Sequence, residues 1–121
     1  MAVVYTSATL SLAALEALVH MGVDDAPDDL VAIPAEIPDG VAVHEIHERK
    51  LPRGWRSFPA PPALQDLGSA WARALETAVL SVPSAVVPHE RNFVLNPRHR
   101  DFERLRIGTP EPFPFDRRLM R

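Results

Sequence analysis

The sequence predicts an α+β fold: one small domain in which a mixed or antiparallel sheet is flanked by a few helices. Three observations lead there. Short β-branched runs alternate along the chain with two segments of helical spacing. Thirteen prolines, spread from end to end, cut the chain into short elements joined by turns. At 121 residues there is enough chain for one core, and dividing it would leave two marginal ones.

The elements follow in order. Ala2, Val3, Val4, Tyr5 and Thr6 suit a strand that runs straight into a helix. The helix is the Ala- and Leu-rich run Leu10-Ser11-Leu12-Ala13-Ala14-Leu15-Glu16-Ala17-Leu18-Val19-His20-Met21. Ser7 or Thr9 can cap its start, and Gly22 can take the left-handed conformation that ends it. Residues 24–29 read as an acidic turn. Residues 30–37 alternate like a strand that Pro34 pushes toward an edge or a bulge, Pro38-Asp39-Gly40 turns the chain, and residues 41–47 alternate again, which predicts two adjacent strands.

Residues 51–63 are proline-rich and expected as loop. A second helix is predicted over residues 67–75, with Trp71 and Leu75 four apart and Asp66 as N-cap. Residues 78–82 and 92–95 read as strands, separated by Pro83-Ser84-Ala85-Val86-Val87-Pro88, where a proline directly before Ser84 and another at 88 restrict the turn. A short helix is expected over residues 98–106, and Phe113-Pro114-Phe115 closes the chain as an extended segment. A strand that opens almost at residue 1 leads us to expect an N-terminal element that is missing or supplied by another chain, and its edge offers a route to a homodimer.

Composition narrows the function classes. Apolar residues make up 46% and charged residues 24%, ordinary for a globular protein and unlike a disordered one. The net charge is −3, and the arginines that accumulate after Arg98 are interleaved with Asp101, Glu103, Glu111 and Asp116, so no nucleic-acid surface is expected. The absence of cysteine rules out disulfides and thiolate metal sites and fits a reducing compartment, by default the cytoplasm. The longest apolar run is too short to span a bilayer and lacks the basic start of a signal peptide. His44 and His47 lie three apart on an expected strand, where they point to opposite faces, so they are read as solvent-facing and no metal site is expected.

Glu16 stands out because it is the only acid in the first helix. That helix is apolar almost all the way round and is expected to be buried on most sides, where an unpaired carboxylate is costly. Glu16 therefore either has partners or faces a pocket; the alternative is a narrow solvent stripe shared with Ser11 or His20. By composition alone Tyr5 is a core strand residue and Ser84 a turn residue. Ser84 lacks the Gly-x-Ser-x-Gly elbow of a hydrolase nucleophile, and nothing in the sequence places His89 or His99 as its base. No Rossmann or Walker glycine pattern is present.

Five phrases in order, Val4-Tyr5-Thr6-Ser7, Leu12-Ala13-Ala14-Leu15-Glu16, Leu64-Gln65-Asp66-Leu67-Gly68-Ser69-Ala70-Trp71, Val82-Pro83-Ser84-Ala85-Val86-Val87-Pro88 and Asn92-Phe93-Val94-Leu95-Asn96-Pro97, resemble the RES domain over essentially the whole chain, with the aspartate and arginine of Phe115-Asp116-Arg117-Arg118 behind them. The family is named for an arginine, a glutamate and a serine and includes toxins of bacterial toxin–antitoxin pairs that destroy NAD. Its fold resembles that of the mono-ADP-ribosyltransferases. The resemblance implies that Glu16 is the family glutamate and the catalytic residue. It also implies that Tyr5, Ser84 and Asn92 contact NAD, which is substrate rather than cofactor.

It further implies an Xre-like antitoxin as partner. The family arginine lies upstream of the tyrosine, beside a glycine-rich turn, so the expectation is a RES-like domain over residues 1–121 without that N-terminal segment. The resemblance supports hydrolysis or phosphorolysis of the nicotinamide–ribose bond. It leaves open transfer of ADP-ribose to a protein, and a non-catalytic module that keeps only antitoxin or NAD binding.

Overall fold

The computed structural model describes residues 2–22 and 27–120. A four-stranded mixed sheet organises it, in the order β1 (Val4–Ser7), β6 (Arg91–Leu95), β5 (Val79–Pro83) and β4 (Val43–Glu45). β5 and β6 form an antiparallel hairpin, and β1 adds antiparallel to β6 with Ser7 opposite Asn92. β4 runs parallel to β5, and the helix α2 (Pro62–Ala74) lies in the connection between them, as a parallel crossover requires. The fold is α+β, with α1 (Leu10–Met21) and α2 as its two α-helices among the described residues.

β5 explains why the sheet holds. Its residues alternate between two apolar clusters, so both faces of the strand are covered. Val79 packs with Val41, Ala78, Leu95 and Leu105 on one face, while Leu80 packs with Ile46, Trp71, Ala72 and Val94 on the other. Asn96, fully buried after β6, donates from Nδ2 to the Ala72 carbonyl at 2.9 Å and ties the end of the sheet to α2. Trp71 Nε1 donates to Thr77 Oγ1 at 2.9 Å, fixing the turn by which α2 re-enters the sheet.

Several expectations change in the structure. Residues 30–37 and 41–47 do not pair with each other. The first run is split by Pro34 into β2 (Val31–Ala32) and β3 (Ala35–Glu36), which pair with β8 (Glu111–Pro112) and β7 (Arg106–Ile107). A proline has no N–H to continue a ladder, so each half finds its own partner. α2 begins five residues before the expected start, with Pro62 in its first turn rather than Asp66 as cap, because proline is pre-shaped for the first helical position. It ends at Leu75, which is left-handed at φ 54°.

The helix expected after Arg98 is a 3-10 turn over Arg100–Arg104. Residues 24–26 of the expected acidic turn lie outside the described residues. Among the described residues no helix is long and apolar enough to cross a membrane.

Candidate functional site

α1 is held where the sequence suggests. Thr9 is the N-cap, its Oγ1 accepting from the Leu12 amide at 3.1 Å, and Gly22, at φ 77°, donates its amide to the Leu18 carbonyl at 3.0 Å. The expectation that this helix is buried on most sides is not met. Leu12 is buried, but Leu10, Leu15 and Val19 are 55%, 43% and 62% exposed. The helix lies on the surface and turns one polar position inward.

That position is Glu16, whose side chain is only 19% exposed. Its Oε1 accepts from Ser84 Oγ at 2.7 Å and from Asn92 Nδ2 at 2.8 Å. Both donors come from the far end of the chain, 68 and 76 residues away. Bonds to an ionised acceptor are about twice as strong as neutral ones, and these lie in their usual length range. Oε2 is left with His20 Nε2 at 3.8 Å, one helical turn on and mostly exposed. One carboxylate oxygen is thus anchored, and the other takes no hydrogen bond among the described residues.

Ser84 sits in the connection between β5 and β6 and is fully buried. Besides donating to Glu16, its Oγ accepts from the Val86 and Val87 amides, both at 3.1 Å. Its own amide donates to the Glu90 carbonyl at 2.9 Å. The turn is therefore wound around the serine side chain, and the hydroxyl oxygen is fully engaged: it gives one bond and takes two. Such a hydroxyl holds a carboxylate; it has little left to offer a ligand.

Asn92 faces Glu16 from β6. Its Oδ1 accepts from Ser7 Oγ at 2.9 Å, across the β1–β6 register that sets the two residues side by side. Tyr5 is two residues before Ser7 on the same strand and so on the same face of the sheet. Composition alone suggested a core residue; instead Tyr5 is 78% exposed and offers its ring to solvent on the face that carries Ser7 and Asn92.

The structure thus joins Glu16, Ser84 and Asn92 by direct hydrogen bonds and sets Tyr5 nearby on the edge strand. Sequence reading missed Ser7 as a support and Thr9 as a link: Thr9 Oγ1 also donates to Glu90 Oε1, at 3.3 Å, fastening the start of α1 to the end of the Ser84 turn. Neither side chain carried a signal, since each is an ordinary strand-end or cap residue in isolation. Two clefts lie elsewhere, one of about 490 Å³ between β4 and α2 beside His44, His47 and Trp71, the other along β3 and β7. Neither is lined by Glu16, Ser84, Asn92 or Tyr5. Among the described residues no cluster of three or more His, Cys, Asp or Glu could hold a metal ion.

The RES domain family model matches residues 1–116. The chain belongs to the RES domain family. Among curated relatives it is 37% identical to "Toxin Res" of Yersinia enterocolitica over 119 residues, covering 98% of this chain and 78% of that protein. It is 34% identical over 122 residues to "Prs ADP-ribosylating toxin" of a Sphingobium strain, covering 99% of this chain and 76% of that one. "Toxin Res" of Photorhabdus laumondii is 34% identical over 120 residues, with 98% and 76% covered. This RES domain thus has toxins among its relatives, one of them named for ADP-ribosylation.

Proposed function

We propose that the chain breaks the bond between nicotinamide and ribose in NAD, with Glu16 as the catalytic carboxylate. One observation carries the reading: a largely buried glutamate with one oxygen fixed by Ser84 and Asn92 and the other left open. Nicotinamide leaves as a neutral molecule because the pyridinium already bears the positive charge, so the leaving group needs no strong acid. The ribose must carry the charge instead. Its transition state resembles an oxocarbenium ion, which a fixed carboxylate stabilises more than the ground state.

Oε2 would accept from a ribose hydroxyl while the anionic charge faces the developing cation. Ser84 acts as a positioning residue, since its hydroxyl is already spent on Glu16 and the turn. Asn92 shares that task, and the exposed ring of Tyr5 offers a face on which the nicotinamide or ribose can rest.

Water or inorganic phosphate as acceptor gives hydrolysis or phosphorolysis. Transfer of ADP-ribose to a protein is the second reading, favoured by the name of the Sphingobium relative. As a partner we propose an Xre-like antitoxin that covers the site. NAD as substrate places the activity in the cytoplasm.

The test is nicotinamide release from NAD by the purified chain, followed with water, with phosphate and with a candidate acceptor protein. Release is expected from the natural chain and should fall by about 100-fold or more in Glu16→Gln, which keeps the size of the side chain and removes its charge. Equal release by both forms would remove Glu16 from the chemistry. No release by the natural chain under any condition would favour a domain that only binds.

A further inference from the structure

The anchored carboxylate explains one end of a dinucleotide and leaves the other without a partner. NAD carries two negative phosphates, and the groups around Ser84 are acidic: Glu16 beneath it and Glu90 at the end of its turn. A diphosphate needs a cation there. Arg91, the obvious neighbour, is spent on structure. Its Nε donates to Ser81 Oγ at 2.6 Å, its Nη2 to the Ile46 and Ser81 carbonyls at 2.6 and 2.9 Å, and its Nη1 lies 3.9 Å from Glu45.

Arg56 is different. It lies on the proline-rich loop of residues 52–61, far from the turn in sequence, yet its Nε donates to the carbonyl of Ala85 at 2.9 Å, one residue from Ser84. Of the described arginines, Arg56 is the one that hydrogen-bonds to the Ser84 turn. Arg56 is exposed, and no carboxylate pairs with it among the described residues. The loop itself is held by turns in which Trp55 donates to the Pro52 carbonyl and Ser57 to the Gly54 carbonyl. One edge of the guanidinium is therefore fixed to the turn that positions Glu16, and its two terminal nitrogens carry four N–H donors that make no hydrogen bond among the described residues.

We propose that Arg56 is a phosphoryl-binding group of this site, taking the diphosphate of the dinucleotide through the terminal nitrogens of its guanidinium. A guanidinium fork matches two phosphoryl oxygens, and fixing Nε to Ala85 reduces the freedom lost on binding. The assignment rests on the reading of Glu16 as the carboxylate of an NAD site. A free phosphate ion acting as acceptor has the same chemistry, and the arms of the test separate the two.

The experiment is calorimetric titration of the full chain with ADP-ribose and, separately, with inorganic phosphate, for the natural protein, Arg56→Lys and Arg56→Gln. Glutamine retains an N–H for the Ala85 carbonyl but no charge; lysine retains the charge. ADP-ribose affinity is expected to drop about tenfold or more in Arg56→Gln and by a smaller factor in Arg56→Lys, which keeps the charge but loses the fork. The same pattern with inorganic phosphate alone would assign Arg56 to the free ion. Equal affinities in all three proteins, equal losses in both variants, or no binding of either ligand by the natural chain would overturn the proposal. Binding of ADP-ribose that depends on Arg56, without any release of nicotinamide from NAD, would discard the glycosidic reading and leave Arg56 as the phosphoryl site.

Discussion

Two places in this molecule set a glutamate beside a histidine, and they differ in almost everything else. At the first, Glu16 is 19% exposed and takes hydrogen bonds of 2.7 and 2.8 Å from a turn and a strand far along the chain, with His20 at 3.8 Å. At the second, Glu45 is 53% exposed, and its neighbours Arg91 Nη1 and His47 Nδ1 stand 3.9 and 4.0 Å away, beyond hydrogen-bond reach. The local sequences are equally suggestive, and the second even sits by the roomier cleft. Remote parts of the fold agree on the position of Glu16, and among the described residues no hydrogen bond does the same for the Glu45 side chain.

The largest test of this contrast is to remove each carboxylate. Glu16→Ala leaves the Ser84 hydroxyl and the Asn92 amide without their acceptor in a buried setting, which should cost about 1–3 kcal/mol of stability in denaturant titration. Glu45→Ala should stay within about 0.5 kcal/mol. Comparable losses at both positions would break the comparison.

A sharper version changes the partner instead. Asn92→Asp puts a second carboxylate where a donor stood 2.8 Å from Glu16 Oε1, and two like charges so close cannot both ionise freely. One carboxyl of the pair then has a raised folded-state pKa, so the penalty appears as pH rises and fades on acidification. Melting temperatures of the variant and the natural chain should converge as pH is lowered from 7 toward 4, and a constant gap would contradict the account.

The smallest effect belongs to a third carboxylate, Asp116, which Arg118 grips with Nη2 to Oδ2 at 2.7 Å and Nε to Oδ1 at 3.0 Å. The Arg118 guanidinium, helped by its amide, holds the Asp116 carboxyl below its usual range. A depressed folded-state value means that the pair supports the fold above the unfolded pKa and ceases to as pH falls through the folded one. Arg118→Ala should raise the Asp116 pKa in a carboxyl NMR titration while leaving nicotinamide release unchanged. Geometry as tight as that of Glu16, placed in open solvent, is expected to yield only a local titration effect.

Much of the frame was legible because local rules decide it. Thr9 and Gly22 bound α1 as cap residues should, and the apolar runs of β5 and β6 read as strands because each is buried and short. Glu16 drew attention because it is the single acid in an apolar helix. The pairings of β2 with β8 and β3 with β7 were hidden, since strands of two residues have no alternation to read and their partners lie about seventy to eighty residues away. The burial of α1 was overestimated because an apolar sequence does not say which of its sides the rest of the chain will reach.

At the site, the resemblance supplied Tyr5, Ser84 and Asn92, but no spacing foretold that Ser84 would be sealed inside its own turn. Arg56 was invisible for the same reason as Ser7: its importance lies in a neighbour the sequence places elsewhere.

The separation between Glu16 and its two holders also orders events in time. During synthesis the glutamate emerges first of the three, and Ser84 and Asn92 follow 68 and 76 residues later. A partly made chain therefore has the carboxylate without the grip that aims it. The arrangement completes itself only when the β5–β6 hairpin closes against α1, so Glu16 has both of its hydrogen-bond partners only after Asn92 has been translated.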